Sequence, residues 1–180
     1  MPIIYITGVE GSGKSTVCDV LASRGFMALD IDKEGLSARF VKMTGERLTG
    51  QPSDKERTAE WYNDREWRLP VEDVVRLKYQ AGQNTIFLAG ITENFDEIKD
   101  LFTKVICLTL DEDTTIYRVA HRLKNDFGKT PVELARILDN REVYEQKNRD
   151  SGSIMVDASR QLPEVVDNIL SNVSKELQII

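Results

Sequence analysis

Cysteine, histidine and long apolar runs are scarce in this 180-residue chain. The two cysteines, Cys18 in a helical pattern and Cys107 in an apolar run, lack metal-ligand spacing and read as reduced core residues of a cytoplasmic protein. His121 is the only histidine, so histidine-based metal or triad chemistry is excluded. No stretch of about 18 apolar residues exists to span a membrane, and the first residues read as a strand without a basic leader. Excess positive charge is missing as well. With 24 Lys and Arg against 30 Asp and Glu, the net charge is −6. That balance speaks against nucleic acid or an anionic membrane as partner, and makes any phosphate site a local positive island. Internal repeats and low-complexity segments are absent. What remains, 41% hydrophobic and 30% charged residues, is the composition of a globular protein of one domain over 1–180, monomer or homodimer.

What is present is concentrated near the start. Ile3-Ile4-Tyr5-Ile6-Thr7 is an apolar run that stops at Gly8, and a helical pattern begins at Lys14. Between them Gly8-Val9-Glu10-Gly11-Ser12-Gly13-Lys14-Ser15 spells a complete phosphate-binding loop. Gly8, Gly11 and Gly13 let the backbone turn its N–H groups inward, where Ser12, Thr16 and the start of the helix join them on phosphate oxygens. Lys14 would neutralise the β- and γ-phosphates, and the Ser15 hydroxyl would ligate Mg²⁺. Val17, Val20 and Leu21 give the helix its buried face. Binding of a nucleoside triphosphate is expected.

Beyond the loop, strand and helix alternate. Strands are expected at about 26–29, 85–90, 104–110 and 154–156, and helices at about 112–125, 131–148 and 163–177. Residues 33–43 read as a helix. Ser53-Asp54-Lys55-Glu56 reads as a capping box opening another, which Pro70 breaks before a third runs towards Gly82. Alternation of this kind predicts a three-layer α/β fold with a five-stranded parallel sheet in the order 2-3-1-4-5. Residues 38–80 depart from it and are expected to form a helical insertion that caps the site.

Ligands bind such sheets at the carboxyl ends of the strands. Asp30 and Asp32 stand there, on one side of an extended chain, placed to hold a metal-bound water and to take a proton from an acceptor hydroxyl. Helix capping accounts for one of them but not for both. Arg118 and Arg122 share a helix side away from the stripe of Ile116, Val119 and Leu123, as a solvated face or a phosphate-facing one. Arg141 falls on the stripe set by Leu134, Ile137 and Leu138. A guanidinium there must be paired, snorkel to water, or reach a cavity such as the triphosphate site. Between these helices, 122–131 carries Lys124, Gly128 and Lys129, and fits either a short mobile lid or an ordinary connection. If 53–69 is helical, Trp61, Arg65 and Arg68 share a face suited to an anionic or ring-containing acceptor, or form a cation–π cluster around a core tryptophan. Trp67 and Tyr62 read as packing.

These features together resemble the small P-loop kinases: nucleoside monophosphate kinases, shikimate kinase and dephospho-CoA kinase. The opening Ile6 to Val17, Arg24-Gly25-Phe26 and Asp30-Ile31-Asp32 is similar to that of the last two. The resemblance implies that Asp30 and Asp32 lie beside metal and acceptor. It also implies that Arg118, in Arg118-Val119-Ala120-His121-Arg122, lies against adenine and Arg122 faces phosphates. Arg141-Glu142-Val143-Tyr144 resembles the arginine-bearing helix after the lid, and Val156-Asp157-Ala158-Ser159 the adenine-side loop. The third strand ends Leu88-Ala89-Gly90, without the aspartate of nucleoside monophosphate kinases and with Gly90 alone of shikimate kinase's glycine run. Dephospho-CoA kinase's His-Pro segment is absent. The implied activity is γ-phosphoryl transfer from ATP–Mg²⁺ to a small acceptor, a nucleoside or nucleotide. ATP is preferred to GTP because no Asn-Lys-x-Asp motif occurs. The alternative is a nucleotide-dependent regulatory module with weak ATPase activity or none.

Overall fold

In the computed structural model, residues 2–50, 52–53, 56–123 and 127–177 are described. Five parallel strands form the main sheet: β1 (Ile3–Gly8), β2 (Met27–Asp30), β5 (Ile86–Ala89), β6 (Lys104–Thr109) and β7 (Ile154–Asp157), in the order β2-β5-β1-β6-β7. This is the expected order, counted within the sheet. The central strands are buried on both sides because helices cover both faces, and their side chains alternate between two cores. Ile4 and Ile6 pack with Val17 and Leu21 of α1 (Lys14–Ser23) and Val165, Val166 and Ile169 of α7 (Leu162–Asn172). Ile3 and Tyr5 pack with Val74 and Leu77 of α3 (Val71–Gln80) and with Phe95 and Ile98 of the short α4 (Phe95–Ile98). A 3-10 turn, Lys99–Leu101, follows α4; neither was legible in the sequence pattern.

Register fixes what meets at the carboxyl edge. Asp30 lies opposite Ala89, and Ala89 opposite Ile6, two residues before Gly8. The aspartates and the phosphate loop are thus separated by one strand.

The segment 38–80 differs from expectation. Residues 33–43 are not helical: turns around Asp30–Gly35 lead into β3 (Ala38–Val41), which pairs antiparallel with β4 (Arg65–Arg68) in a separate ribbon. Phe40, Val41 and Trp67 supply β-forming side chains among charged neighbours, which suits a half-exposed ribbon. Ser53 does close on Glu56, donating from N (2.9 Å) and Oγ (2.6 Å) to Oε2. Asp54 and Lys55 of that box lie outside the described residues. The helix actually opens later, at α2 (Ala59–Asn63), where Thr58 accepts from Trp61 N–H.

The last two helical layers are α5 (Glu112–His121), capped by Asp111, and α6 (Pro131–Asp150), capped by Thr130 with Pro131 in its first turn. Extended Arg122 ends α5 at His121, four residues before the expected end. Lys124, in the expected lid, lies outside the described residues.

Candidate active site

A cleft of about 1940 Å³ runs along the carboxyl edge of the sheet, from the phosphate loop to the β3–β4 ribbon. Glu10 to Thr16 line one end. Gly8 does not line it, but it shapes the loop: its φ is 142°, and a Cβ there would come within 2.4 Å of the Leu108 carbonyl oxygen. At Gly13, α1 begins without a side-chain cap, so its first N–H groups are left for a ligand in the cleft. Lys14 Nζ is turned onto the loop itself, donating to the carbonyls of Gly8 (2.7 Å) and Val9 (2.9 Å). Burial lowers its pKa from the ordinary lysine value. A buried ammonium beside unspent amides fits a polyanion such as a triphosphate.

Ser15 and Thr16 are exposed at the same end. Among the described residues no group of three or more His, Cys, Asp or Glu side chains is arranged to hold a metal. A hydroxyl and carboxylates at this end, those of Ser15, Asp30 and Asp32, would suit a hard cation carried by phosphates and could not hold one unaided.

Arg118 bridges the loop and the far side of the cleft, donating to Ala158 O at 3.0 Å and approaching Gly11 O at 3.5 Å. Ala158 and Arg160 line the cleft there, whereas Ser159 does not. Its N–H and hydroxyl are turned onto Asp157 Oδ1, at 2.9 and 2.6 Å. Arg122 lines the cleft and donates to the Phe127 carbonyl.

Both aspartates line the cleft, with different surroundings. Buried Asp30 accepts from the N–H groups of Asp32 (3.1 Å) and Lys33 (3.2 Å), and so fixes the turn that presents Asp32. Helix capping, expected for one of the pair, applies to neither, because no helix follows them; Asp30 fixes a turn instead. Asp32 Oδ1 accepts from the Ser37 hydroxyl and from Trp67 Nε1 at 3.2 Å. Crowding by protein raises the Asp32 pKa above the ordinary carboxylate value, against the pull of the Ser37 bond.

Besides Gly8 and Ser159, four expected site residues lie elsewhere. Arg141 is held away from the cleft: Nη1 donates to Leu110 O at 3.1 Å, and Nη2 pairs with Glu142 at 3.2 Å. Arg65 and Arg68 are strand residues, so they share no helix face with Trp61. Arg65 lies over the Trp61 ring at 4.9 Å, the cation–π arrangement, and Arg68 pairs with Glu66 and Glu97. Gly90 is a packing residue. A Cβ there would fall 2.2 Å from Ile31 Cγ1, so its bare backbone lets Ile31 sit between the two aspartates. Of the acceptor set, Trp61 and Asp32 line the cleft.

The far end of the cleft is furnished instead by Arg39, Trp67, Glu93 and Arg136. Ribbon pairing sets Arg39 opposite Trp67. Glu93 lies just past the carboxyl end of β5, the one of the four that the strand-end rule would have flagged. Behind them, buried Glu133 ties three segments together. It accepts from Tyr62 Oη and from Gly128 N–H, each at 2.8 Å, and pairs with Arg57 at 3.3 Å.

Comparison with known proteins agrees with this geometry. The profile of a family described as AAA domain matches residues 4–143. No curated protein matches the sequence. Among solved structures, a gluconokinase from Sinorhizobium meliloti 1021 superposes with a TM-score of 0.56 at 18% identity, covering 98% of this chain and 94% of its own. A deoxyadenosine kinase from M. mycoides with bound dATP gives 0.53 at 17%, covering 97% and 100%. Shikimate kinase from Aquifex aeolicus gives 0.50 at 20%, covering 97% of each. At such identities the likeness is one of fold.

Proposed function

The chain belongs to the AAA domain family, and on that footing we propose that it is an ATP-dependent phosphotransferase that moves the γ-phosphoryl group to a small acceptor of the nucleoside or nucleotide kind. One observation carries the reading. A single cleft joins the phosphate loop to a second, separately built half containing Asp32, Trp67 and Arg39. A nucleotide switch needs only the first half.

Bound Mg²⁺–ATP would supply the phosphoryl group. The loop amides and Lys14 hold its phosphates, Ser15 takes the metal, and Arg118 packs at the nucleoside end. Asp30, with one oxygen engaged by the turn, serves the metal side through its other oxygen. Asp32, its pKa raised, accepts the proton of the acceptor hydroxyl. Arg122, on the cleft wall beside the loop after α5, is placed to neutralise charge on the moving phosphoryl group. The cleft-lining residues between Ala38 and Trp67 form the acceptor wall, and Arg122, Leu123, Phe127, Lys129 and Thr130 the cover.

The test is ADP release from Mg²⁺–ATP across nucleosides, nucleoside monophosphates, shikimate, gluconate and dephospho-CoA. One acceptor should raise the rate by orders of magnitude, and Lys14→Ala should lower it by roughly 10²-fold or more. Tight nucleotide binding with a flat acceptor response would favour a regulatory module, a reading supported by the missing carboxylate at Ala89-Gly90.

A further inference from the structure

The acceptor half holds an unusual cation. The Arg39 guanidinium lies 5.2 Å from the Tyr62 ring centroid, 5.3 Å from Trp67 and 5.6 Å from Trp61. Its Nη1 is buried and makes no hydrogen bond among the described residues. Glu93 Oε2 faces it at 3.6 Å, close enough for an ion pair but too far for a hydrogen bond. Arg136 reaches the same place from α6, 5.2 Å from the Tyr62 ring, and closes on Glu93 Oε1 at 2.7 Å. Two guanidiniums therefore share one carboxylate.

The rings are already occupied, by Arg39 on all three and by Arg65 on Trp61, so recognition here rests on charge more than on stacking. Glu93 Oε2 also accepts from the Trp67 backbone N–H at 2.6 Å, and Glu93 is the most solvent-accessible of the three charged partners. Its side chain is 38% exposed, against 16% for Arg39 and 27% for Arg136. Burial also weighs against the Arg39 charge, and Glu93 is the main group offsetting it.

We propose that Glu93 is an internal counter-ion occupying the anion seat of the acceptor site. In the free protein Arg39, Arg136 and the Trp67 N–H hold Glu93. On binding the two arginines turn to a carboxylate or phosphate of the acceptor, which is therefore a small anion and not a neutral nucleoside or sugar. Calling it an acceptor rests on the phosphotransferase reading; the anion seat does not. Size follows from Trp67. Its Nε1 donates to Asp32 while its ring flanks Arg39, so one indole separates the seat from the proposed base.

The chain's only two tryptophans, Trp61 and Trp67, line this seat, so intrinsic fluorescence reports on it without turnover. The titration uses gluconate, shikimate and a nucleoside monophosphate against glucose and the matching nucleoside. A Lys14→Ala background weakens anion binding at the phosphate loop. At least one anion should change the signal while the neutral compounds do not. Glu93→Gln should lower its half-saturating concentration several-fold, and Arg136→Gln should raise it by roughly tenfold or more. Carboxylates and the monophosphate, compared with each other, identify the anion. Binding of a neutral compound as tight as that of its anion, no anion binding at all, or weaker anion binding in Glu93→Gln would each overturn the proposal. ADP release by the wild-type chain separates the two readings. Anion binding without turnover would defeat the phosphotransferase, and turnover on a neutral acceptor would defeat the seat.

Discussion

Replacing Glu133 removes a fully buried carboxylate on which three segments converge. Tyr62 belongs to α2, Gly128 to the loop before α6, and Arg57 to the stretch before α2. Glu133→Ala leaves the Tyr62 hydroxyl and the Gly128 N–H without their charged acceptor, at about 1.5–3 kcal/mol for each bond. Breaking a buried ion pair costs about 3–5 kcal/mol as a whole, and these contributions overlap, so about 4 kcal/mol is expected for the variant. For a chain of this size, that is a Tm lowered by about 8–16 °C. Glu133→Gln keeps one oxygen acceptor and should lose about half as much. Tyr62→Phe, which removes one bond and leaves the carboxylate two partners, should cost about 1.5–3 kcal/mol. Thermal and urea denaturation read all three, and the Glu133→Ala/Tyr62→Phe double variant gives their coupling. A Tm change below about 2 °C in Glu133→Ala, or additive single effects, would show that the carboxylate does not hold these segments together.

The two aspartates should separate under one substitution. Asp30→Asn weakens an acceptor that fixes the turn and should lower stability by about 1 kcal/mol. Asp32→Asn removes a carboxylate whose ionisation the fold disfavours, so stability should stay level or rise while turnover in the ADP-release assay collapses. Equal stability losses would remove the distinction. Stability should also fall from about pH 9 upward. Burial pushes the Cys18 thiol up to about 11 and Cys107 to about 12, and raises Tyr5, Tyr62 and Tyr144 above the ordinary tyrosine value. All five lose protons first in the unfolded chain, so the stabilisation is complete below pH 9 and is lost as pH rises, by up to about 1.4 kcal/mol per pH unit per group. Urea midpoints that are flat between pH 8 and 11 would contradict this.

The β1–loop–α1 unit, the strand order and the carboxyl-edge position of Asp30 and Asp32 were legible because each depends on local pattern and on the rule that parallel strands need covering helices. The acceptor half was not. Ala38-Arg39-Phe40-Val41 and Arg65-Glu66-Trp67-Arg68 are each too short to declare a period, and they become strands by pairing with each other across α2. A helical period over 53–69 groups Arg65 and Arg68 with Trp61 and turns Trp67 away from them, whereas strand pairing sets Trp67 opposite Arg39. Arg141 failed for a different reason. The stripe reading correctly required it to be paired, but Leu110, at the end of the neighbouring strand, supplies the partner. Spacing shows that a charge must be satisfied, not which group satisfies it.

Lys14 has a thermodynamic consequence. Its ammonium is held by two peptide oxygens and is already partly stripped of water. An anion entering the loop exchanges those oxygens for its own, so part of the dehydration of the cation is met during folding and not at the moment of association. Because burial has lowered its proton affinity, the arriving negative charge raises that affinity again. At alkaline pH, ligand and proton therefore bind together, and the heat of association depends on the ionisation enthalpy of the buffer.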